Sequence, residues 1–548
     1  MSFLGRGISL LAGAFTLIFL ATAEIGTQAS WTTFGYDVRD YGARGDGKTV
    51  DTPAVNKAIA EASSKGGGTV CFPPGKYLCY SIHLASNITI YLDNGATILA
   101  ADSTGYDMPE PNEFDAYQDF GHSHWKNSLM WGIGIENFAL LGQGTIDGKG
   151  LTRRSPGPRR PRTAGETPTS LGGGSKTAAA PLGETSDVKE MDGLGNKAIS
   201  LKLSRNVTIR DVTIFEGGHF ALLATGVDNL TIDNVRVDTN RDGFDIDACR
   251  NVRISNSFVN SPNDDAIVLK SSYALGANRA TENVTITNSQ VSGFDLGTFL
   301  NGTYGTTQLT APDKDGVTGR IKFGTESNGG FRNVAISNIN FVHCRGLAIE
   351  TVDGGPIEDV TISNITMRDI TTAPIFIRLG ARQRAPDGAA IATIRRVRID
   401  NVVASHVDHR YAALIAGLPG HAVEDIHISN IRISYKGGGT SADAERAIPE
   451  NEKGYPEPSM FGVTPSYGVY VRHARGVAFD NINLSSEATE ARPAFFLDDV
   501  SDAELSRSRA LLSAGSKMFA LRNVSDFVSL GNRGVDDIRL PRVEKRDF

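Results

Sequence analysis

The chain has 548 residues, of which 40% are hydrophobic and 21% are charged, the profile of a soluble protein. Its net charge of −7 argues against general nucleic-acid binding. Four cysteines in so long a chain exclude a disulfide framework, and no C-x-x-C metal pattern is present. Cys71 and Cys79 lie in one short segment and could form a single bridge across a hairpin-like turn.

The first predicted element is a secretory signal peptide over residues 1–23. Arg6 supplies a basic region, Ile8 to Leu20 an apolar one, and Ala21 to Ala23 an A-x-A cleavage site. A membrane anchor is the alternative, although the apolar stretch is short for a spanning helix. We therefore expect a secreted or periplasmic protein with no membrane attachment after cleavage.

A short strand at Tyr36 to Ala43 and an alanine-rich helix at Ala54 to Ser63 follow. Thr52 is the predicted N-cap, and Pro53 suits the first helical position. Because the open end of a solenoid exposes unpaired strands and apolar core, we expect this amphipathic helix to cap the first coil.

From residue 36 to 545 we predict one repetitive domain. Close copies of one short segment begin at Asn206, Asn229, Asn251, Asn283, Asn333 and Asp359, and the first intervals are 23 (229 − 206) and 22 (251 − 229) residues. Each copy alternates apolar and polar residues, as a strand with one buried face does. This pattern predicts an all-β, single-stranded right-handed parallel β-helix, a solenoid of three short strands per coil.

The recurrent asparagines of these copies are interpreted as a ladder at the coil turns, since asparagine bonds backbone groups and tolerates left-handed backbone. Asn206, Asn229 and Asn283 also begin N-x-S/T sequons, so glycan attachment is the alternative. A Pro-, Gly- and Ser-rich insertion at Thr152 to Asp192 interrupts the repeats. It carries Arg153, Arg154, Arg159, Arg160 and Arg162. It either overhangs a cleft and attracts an anionic polymer or is a solvated loop without a ligand.

Two acidic segments stand one coil apart, because 264 − 242 = 22 residues. They are Asn240-Arg241-Asp242 and Asn263-Asp264-Asp265, and Asp245 follows the first on the same strand. We expect them to meet in the groove along the solenoid, although adjacent Asp264 and Asp265 can both face it only at a bend. Two such carboxylates can divide the acid and base roles of glycoside hydrolysis. Aspartates that merely cap turns are the alternative.

With these motifs the chain resembles the family 28 glycoside hydrolases, the polygalacturonases and rhamnogalacturonan hydrolases, over nearly the whole mature chain from Asp40-Tyr41-Gly42-Ala43 onward. The family's Asn-Thr-Asp corresponds to Asn240-Arg241-Asp242, with arginine replacing threonine. Its Gly-Asp-Asp corresponds to Asn263-Asp264-Asp265, and its Arg-Ile-Lys stands unchanged as Arg320-Ile321-Lys322.

The resemblance implies an inverting hydrolase that acts on an acidic, pectin-type polysaccharide without a cofactor or metal, and we expect a monomer. Asp264 would be the general acid, and Asp242 with Asp265 would hold the attacking water. Arg320 and Lys322 alternate on one strand, so both would face the groove and bind a uronate carboxylate. An alternative alignment at Ala348-Ile349-Glu350 lacks both cations.

The family's Gly-His-Gly motif has no counterpart, because the corresponding coil contains no histidine from Ser292 to Gly297. Asp295 is the nearest polar substitute and a candidate substrate-binding residue together with Asp245. The loss favours the rhamnogalacturonan branch, and His122, His124 or His219 could supply an imidazole from elsewhere. Two other functions stay open on the same scaffold: a Ca²⁺-dependent polysaccharide lyase, whose ion the aspartates would bind, and a non-catalytic glycan-binding β-helix.

Overall fold

The computed structural model describes residues 35–152 and 191–548. The predicted signal peptide and the five arginines of the insertion lie outside the described residues. In the described part, no helix is long and apolar enough to cross a bilayer. The α-helices are α1 (Thr52–Ser64) and α2 (Ser441–Ala444), and 3-10 turns lie at Val38–Tyr41, Asp115–Tyr117, Phe120–His122 and Pro458–Phe461.

Strands account for most of the remaining regular structure. The first seventeen are β1 (Gly35–Asp37), β2 (Asp46–Val50), β3 (Gly68–Phe72), β4 (Gly75–Cys79), β5 (Ile82–His83), β6 (Ile88–Leu92), β7 (Ala96–Ala100), β8 (Ser128–Ile133), β9 (Glu136–Gly142), β10 (Thr145–Asp147), β11 (Lys197–Lys202), β12 (Arg205–Arg210), β13 (Thr213–Phe215), β14 (Phe220–Thr225), β15 (Asp228–Asp233), β16 (Arg236–Asp238) and β17 (Asp242–Asp247). The others are β18 (Arg250–Ser255), β19 (Phe258–Asn260), β20 (Ile267–Ser271), β21 (Thr281–Ser292), β22 (Ile321–Ser327), β23 (Phe331–Val342), β24 (Leu347–Thr351), β25 (Ile357–Arg368), β26 (Ile375–Leu379), β27 (Ile394–Val407), β28 (Ala413–Ala416), β29 (Val423–Tyr435), β30 (Val469–Ser486), β31 (Phe495–Ser506), β32 (Arg509–Ala510), β33 (Phe519–Leu530) and β34 (Ile538–Asp547).

Each coil contributes one strand to each of three parallel faces, which confirms the predicted right-handed β-helix. The first face runs through β8, β11, β14, β17, β20, β22 and β24. The second runs through β6, β9, β12, β15 and β18, and the third through β7, β10, β13, β16 and β19. In the next coil β21 pairs with both β18 and β19, so one bent strand then serves both faces.

The core is a stack of identical apolar positions from successive coils. One column contains Ile209, Ile232, Ile254, Ile286, Ile336, Ile362, Ile399 and Ile428, each in register with the next. None of them is more than 4% exposed. Burying one such side chain contributes roughly 1.5–3 kcal/mol, so the column alone is a substantial part of the driving force for stacking.

The predicted asparagine ladder is present on the outside of the coils. The Asn229 amide donates to the side-chain oxygen of Asn206 at 2.9 Å, and Asn251 donates to Asn229 at 3.1 Å. The next rungs are Asn283 to Asn251 at 3.0 Å and Asn333 to Asn283 at 2.8 Å. These residues have φ between 53° and 57°, the left-handed region that asparagine tolerates. The three sequon asparagines are therefore members of the ladder.

The helix α1 packs on the first coil with its apolar face buried, at Ala54, Val55, Ala58, Ile59 and Ala62, which confirms the predicted cap. The predicted N-cap is wrong by one residue, because the helix begins at Thr52 and Asp51 precedes it. The Thr52 hydroxyl instead accepts a hydrogen bond from the Tyr80 amide at 2.8 Å. Asp51 accepts from the backbone amide of Arg44 at 2.7 Å.

The possible disulfide between Cys71 and Cys79 is also wrong, since both thiols are free. Cys79 is buried in the core, whereas Cys71 is half-buried. The alternation of buried residues along β3 and β4 places them on opposite sides of the coil wall. Neither cysteine can therefore reach the other without turning its strand over.

Candidate active site

The three candidate catalytic aspartates come together where two successive coils bend into the first face. Asp242 begins β17, and Asp264 and Asp265 lie in the turn between β19 and β20. The Asp265 backbone amide donates to the carboxylates of Asp242 and Asp264, each at 3.1 Å. One oxygen of each carboxylate lies within 4.8 Å of one from each of the others. The bend that adjacent aspartates required is thus present.

These carboxylates differ in their access to solvent. The Asp264 side chain is 19% exposed, whereas those of Asp242 and Asp265 are 4% and 5% exposed. Among the described residues, they form the cluster of acidic, histidine or cysteine side chains close enough to share a cation. Asp264 is the carboxylate that an incoming ligand reaches first.

Asp265 is held by the cations of the next coil. Arg320 Nε donates to Asp265 Oδ1 at 2.9 Å, and Lys322 Nζ lies 3.5 Å from Oδ2. Burial alone would raise the pKa of Asp265, but the charges of Lys322 and Arg320 outweigh it, and the pKa lies below its ordinary value. Asp265 is therefore ionised near neutral pH, as a base must be.

Asp242 is in the opposite electrostatic state. Burial, followed by the negative charge of Asp264, raises its pKa well above the ordinary value. Lys270 opposes this shift, but its Nζ is 4.0 Å from Asp242 Oδ2. Crowded carboxylates whose pKa values are driven apart are the usual means of keeping one acid protonated beside one base. In this cluster the pKa values of Asp242 and Asp265 are shifted in opposite directions.

Asp245, predicted to bind substrate, lies instead in a buried network below the aspartate cluster. It is fully buried. Its Oδ2 is 3.2 Å from Lys270 Nζ and 3.1 Å from His122 Nε2. Lys270 also lies 3.4 Å from Glu326, whose pKa stays well below its ordinary value because the cationic neighbours, Lys270 first, outweigh burial. Asp245 lies three residues after Asp242 on β17, and its carboxylate is enclosed in this network rather than open to a substrate.

Arg320 and Lys322 reach the same side of the chain, as the alternation predicted, but they are not open to a substrate. Each is 1% exposed. Arg320 uses Nε on Asp265, and Nη1 and Nη2 on Glu457, with the Nη1 bond at 3.0 Å. Lys322 lies 3.7 Å from Glu350 and bonds the Tyr455 hydroxyl at 3.1 Å. The prediction of an open uronate clamp is therefore corrected: these cations neutralise acids of the protein.

Asp295 is likewise placed outside the cluster. It accepts hydrogen bonds from the backbone amides of Thr307 and Gln308 at 2.9 and 2.8 Å, so it ties its own loop together. Burial is the largest single influence and would raise the pKa of Asp295, but the hydrogen bonds of that loop together outweigh it and hold the pKa below its ordinary value. The loop reaches the site through Gln308, whose side-chain amide bonds the Asn263 side chain.

Two of the three proposed histidines do stand beside the cluster. His122 Nε2 is 2.6 Å from Lys270 Nζ, and His219 Nδ1 is 3.4 Å from Arg241 Nη1. His124 instead bonds the Glu110 carbonyl. Burial and then the charge of Arg241 hold the pKa of His219 well below its ordinary value, so this imidazole is neutral.

Loops cover the first face at this level, so the strands around the cluster are buried on both sides rather than lining an open groove. Arg384 bonds Glu326 at 2.6 Å and Asp119 at 2.8 Å, which joins two of these loops above the cluster. Glu457 arrives on a third loop and also lies 3.1 Å from Arg345. The arrangement is an enclosed site.

Several residues of the site were missed from the sequence. Lys270 and Glu326 had a weak signal, because both are charged residues in strongly apolar first-face strands. Glu350 occurred only in the rejected alignment, yet it contacts Lys322 from the following coil. Glu457 had no signal in the sequence, since it is 137 residues from Arg320, the arginine that it bonds.

Two family models and several known proteins resemble parts of this chain. The rhamnogalacturonase A/epimerase, pectate lyase-like family model matches residues 36–151, and the right-handed beta helix region model matches residues 186–311. A probable polygalacturonase of Vitis vinifera is 26% identical over 245 residues, 43% of this chain and 44% of that protein. An exo-poly-alpha-D-galacturonosidase of Dickeya chrysanthemi is 25% identical over 248 residues, 42% of this chain and 40% of that protein.

The chain thus spans less than half the length of these two curated relatives. The solved structure of a hyperthermoactive exopolygalacturonase from Thermotoga maritima has a TM-score of 0.56 and 18% identity. The matched region covers 94% of this chain and 95% of the Thermotoga maritima chain, so the likeness in fold extends over almost the whole molecule. The resemblance noted in the sequence is confirmed: the chain is a right-handed parallel β-helix similar to the family 28 glycoside hydrolases.

Proposed function

We propose that this chain hydrolyses α-glycosidic bonds in a pectic polysaccharide of the galacturonan or rhamnogalacturonan type. The observation that carries the proposal is the cluster of Asp242, Asp264 and Asp265, which brings a carboxyl with a raised pKa and one with a lowered pKa within 4.8 Å of a partly exposed third. The polygalacturonase relatives support the substrate class. The rhamnogalacturonase-like family match keeps the second backbone in the proposal.

In the proposed reaction, Asp264 donates a proton to the leaving glycosidic oxygen, the role that the family resemblance gives it, and its 19% exposed side chain leaves it open to a substrate. Asp265 acts as the base toward water, since its lowered pKa leaves it ionised. Asp242, with its raised pKa, is a poor base in the free protein and would hold a proton in contact with the other two. Asp242 can hold the attacking water in this state, because a protonated carboxyl still donates and accepts hydrogen bonds, while Asp265 takes the proton of the water.

The stereochemical outcome that we propose is inversion. The 4.8 Å approach of the carboxylate oxygens is shorter than the separation of about 6.5–9.5 Å between carboxyl groups that usually leaves room for water in inverting enzymes. The distance alone therefore does not support inversion, which rests on the resemblance. Proton NMR of the first anomer released decides: a β product from an α bond supports inversion, and an α product refutes it.

The enclosed site favours action at the end of a polysaccharide chain. Loops joined through Arg384 and Glu457 cover the first face beside the cluster, and a long internal stretch of polymer needs an open groove. Two of the similar proteins are named as exo-acting on galacturonan. Release of monosaccharide with slow loss of viscosity would support this mode, and early release of mixed oligomers would contradict it.

Export to the periplasm or the medium, after removal of residues 1–23, belongs to the same proposal. It is supported by the apolar amino-terminal stretch followed by Ala21-Thr22-Ala23. Mass spectrometry of the protein recovered from the extracellular and periplasmic fractions would show cleavage after Ala23. A full-length protein retained with membranes would support the anchor instead.

The central experiment is product analysis with polygalacturonan and rhamnogalacturonan, each with and without a chelator. Saturated reducing ends that form without calcium support the hydrolase and identify the backbone. Unsaturated uronate products that need calcium support the lyase alternative. Binding without any product from either polymer supports the glycan-binding alternative. Asp264→Asn and Asp295→Asn serve as the matched pair, since only the first aspartate belongs to the cluster.

A further inference from the structure

With Arg320 and Lys322 enclosed by acids of the protein, the cation that contacts Asp264 is Arg241, and it retains hydrogen-bonding capacity. Arg241 occupies the motif position where the resembled family has threonine. Arg241 is 3% exposed, and its Nη2 donates a hydrogen bond to Asp264 Oδ2 at 2.8 Å. Among the described residues, Arg241 Nε is buried and has no hydrogen-bond partner. A buried guanidinium with an unused N–H is costly unless an acceptor arrives.

The remaining neighbour of Arg241 does not meet this need. His219 is neutral and lies at the long distance of 3.4 Å from Nη1, so it supplies a weak acceptor and no charge. Within residues 35–152 and 191–548, only Asp264 forms an ion pair with this guanidinium, and Asp264 is the partly exposed carboxylate that the proposed reaction uses as its proton donor. One side chain therefore has two tasks that require opposite charge states: an anion for Arg241 and an acid for the substrate.

We propose that Arg241 binds the carboxylate of the substrate's uronic-acid unit, and that this carboxylate replaces Asp264 as the anionic partner of the guanidinium. The inference rests on the proposed function and deepens it by assigning the residue that selects an acidic sugar. Guanidinium and carboxylate match in a planar, two-bond geometry, and Nε supplies a donor that the protein leaves unused.

The exchange has a defined proton balance. The free protein contains an ionised Asp264 paired with Arg241, and the complex contains a protonated Asp264 and a uronate paired with Arg241. One proton is therefore taken from the solvent per uronate bound, and no bond other than an O–H bond forms. The ionisable groups around Asp264 are Arg241, Asp242, Asp265, Lys270 and Tyr455. None of the other acids has to change its charge for the exchange.

The first test is a binding measurement, which does not depend on turnover. Galacturonate and galactose are titrated into the wild-type protein, Arg241→Gln, Arg241→Lys and the control Arg253→Gln, an exposed arginine of β18. We expect Arg241→Gln to weaken galacturonate by about 10- to 100-fold, the usual loss of a charged hydrogen bond, with galactose unchanged. Arg241→Lys should recover part of the loss, and the control should match the wild type.

Calorimetry in buffers of different ionisation enthalpy adds a readout that a merely structural arginine would not move. We expect uptake of about one proton per galacturonate by the wild-type protein and none by Arg241→Gln, by the balance above. Unchanged galacturonate affinity in Arg241→Gln, or an equal loss for galactose, would overturn the inference. Should Arg241→Gln fail to fold by circular dichroism, the charge-retaining Arg241→Lys carries the same comparison against galactose.

Failure of the proposed function gives a different result from failure of this inference. Arg241-dependent binding of galacturonate without hydrolysis of either polymer would remove the hydrolase and keep the carboxylate site. Hydrolysis that retains its preference for free over methyl-esterified galacturonan in Arg241→Gln would keep the hydrolase and remove the inference.

Discussion

Replacing Lys270 by methionine should destabilise the coils around the candidate site. The Lys270 ammonium lies 3.2 Å from Asp245 and 3.4 Å from Glu326, with its side chain 9% exposed. Removing one partner of a buried ion pair costs about 3–5 kcal/mol, because the other charge stays buried without compensation. Asp242 adds less to this cost, since its carboxylate is 4.0 Å from the ammonium and its pKa is raised.

The lower end of that range is expected because both acids keep a second partner. Asp245 retains His122 at 3.1 Å, and Glu326 retains Arg384 at 2.6 Å. We therefore expect Lys270→Met to lose about 3 kcal/mol of unfolding free energy at neutral pH. The raised pKa of Lys270 means that its contribution is complete below about pH 10.4. The lowered pKa of Glu326 means that its share is present above about pH 4.3 and is lost as the pH falls further.

Chemical denaturation at pH 7 and at pH 3.5, followed by circular dichroism, measures this difference. Lys76→Met is the matched control, because Lys76 is an exposed lysine of β4. Hydrogen exchange of β17 and β20 locates the loss. A Lys270→Met variant within about 0.5 kcal/mol of the control at pH 7 would refute the account of the buried network.

Three further predictions concern the cluster and the scaffold. Asp264→Asn should reduce turnover at least about 1,000-fold with an unchanged circular dichroism spectrum, because the amide cannot donate an acidic proton; near-normal turnover would remove the assignment. The lowered pKa of Asp265 places the acidic limb of the kcat/KM profile below about pH 3.9, and Lys322→Ala should move that limb to higher pH as a counter-charge is lost; an unmoved limb would argue against Asp265 as the base. Asn229→Ala should cost about 1–2 kcal/mol in denaturation, since it removes two ladder bonds and puts alanine at φ 56°, with Asn229→Gly losing less; equal stability of both variants and the wild type would exclude a structural role of the ladder.

The fold could be predicted because the sequence signals that determine it each lie within a single coil. Period-two alternation within each copy, coil-length spacing and the asparagine turns each act over one coil, and all three agree with the structure. The meeting of Asp242 with Asp264 and Asp265 followed from the same spacing, since one coil brings the chain back to the same face, and the contact between Asp242 and Asp265 spans 23 residues. The sequence alone could therefore predict the features that are determined within one coil.

The surroundings of the aspartates could not be predicted in this way. The alternation placed Arg320 and Lys322 on the correct side of the chain. The acids that neutralise them are Glu457, on a distant loop, and Glu350, on a later coil. The same holds for His122, which is 148 residues from Lys270. Distant loops determine whether a charged side chain at the site is accessible or neutralised. Because these loops do not follow the coil repeat, the sequence carries no periodic signal for their contacts.

The asparagine ladder described above has a consequence for how such a molecule can diversify. Its rung lengths stay between 2.8 and 3.1 Å while the chain between neighbouring rungs grows from 22 to 32 and then to 50 residues. The axial rise of the solenoid is therefore independent of how much chain each coil carries. The surplus residues lie in the loops that flank the first-face strands, at 272–280 after β20 and 293–320 before β22. The second loop reaches the site through Gln308. A new substrate specificity can therefore arise by changing these loops, while the stacked coils beneath them need no compensating change.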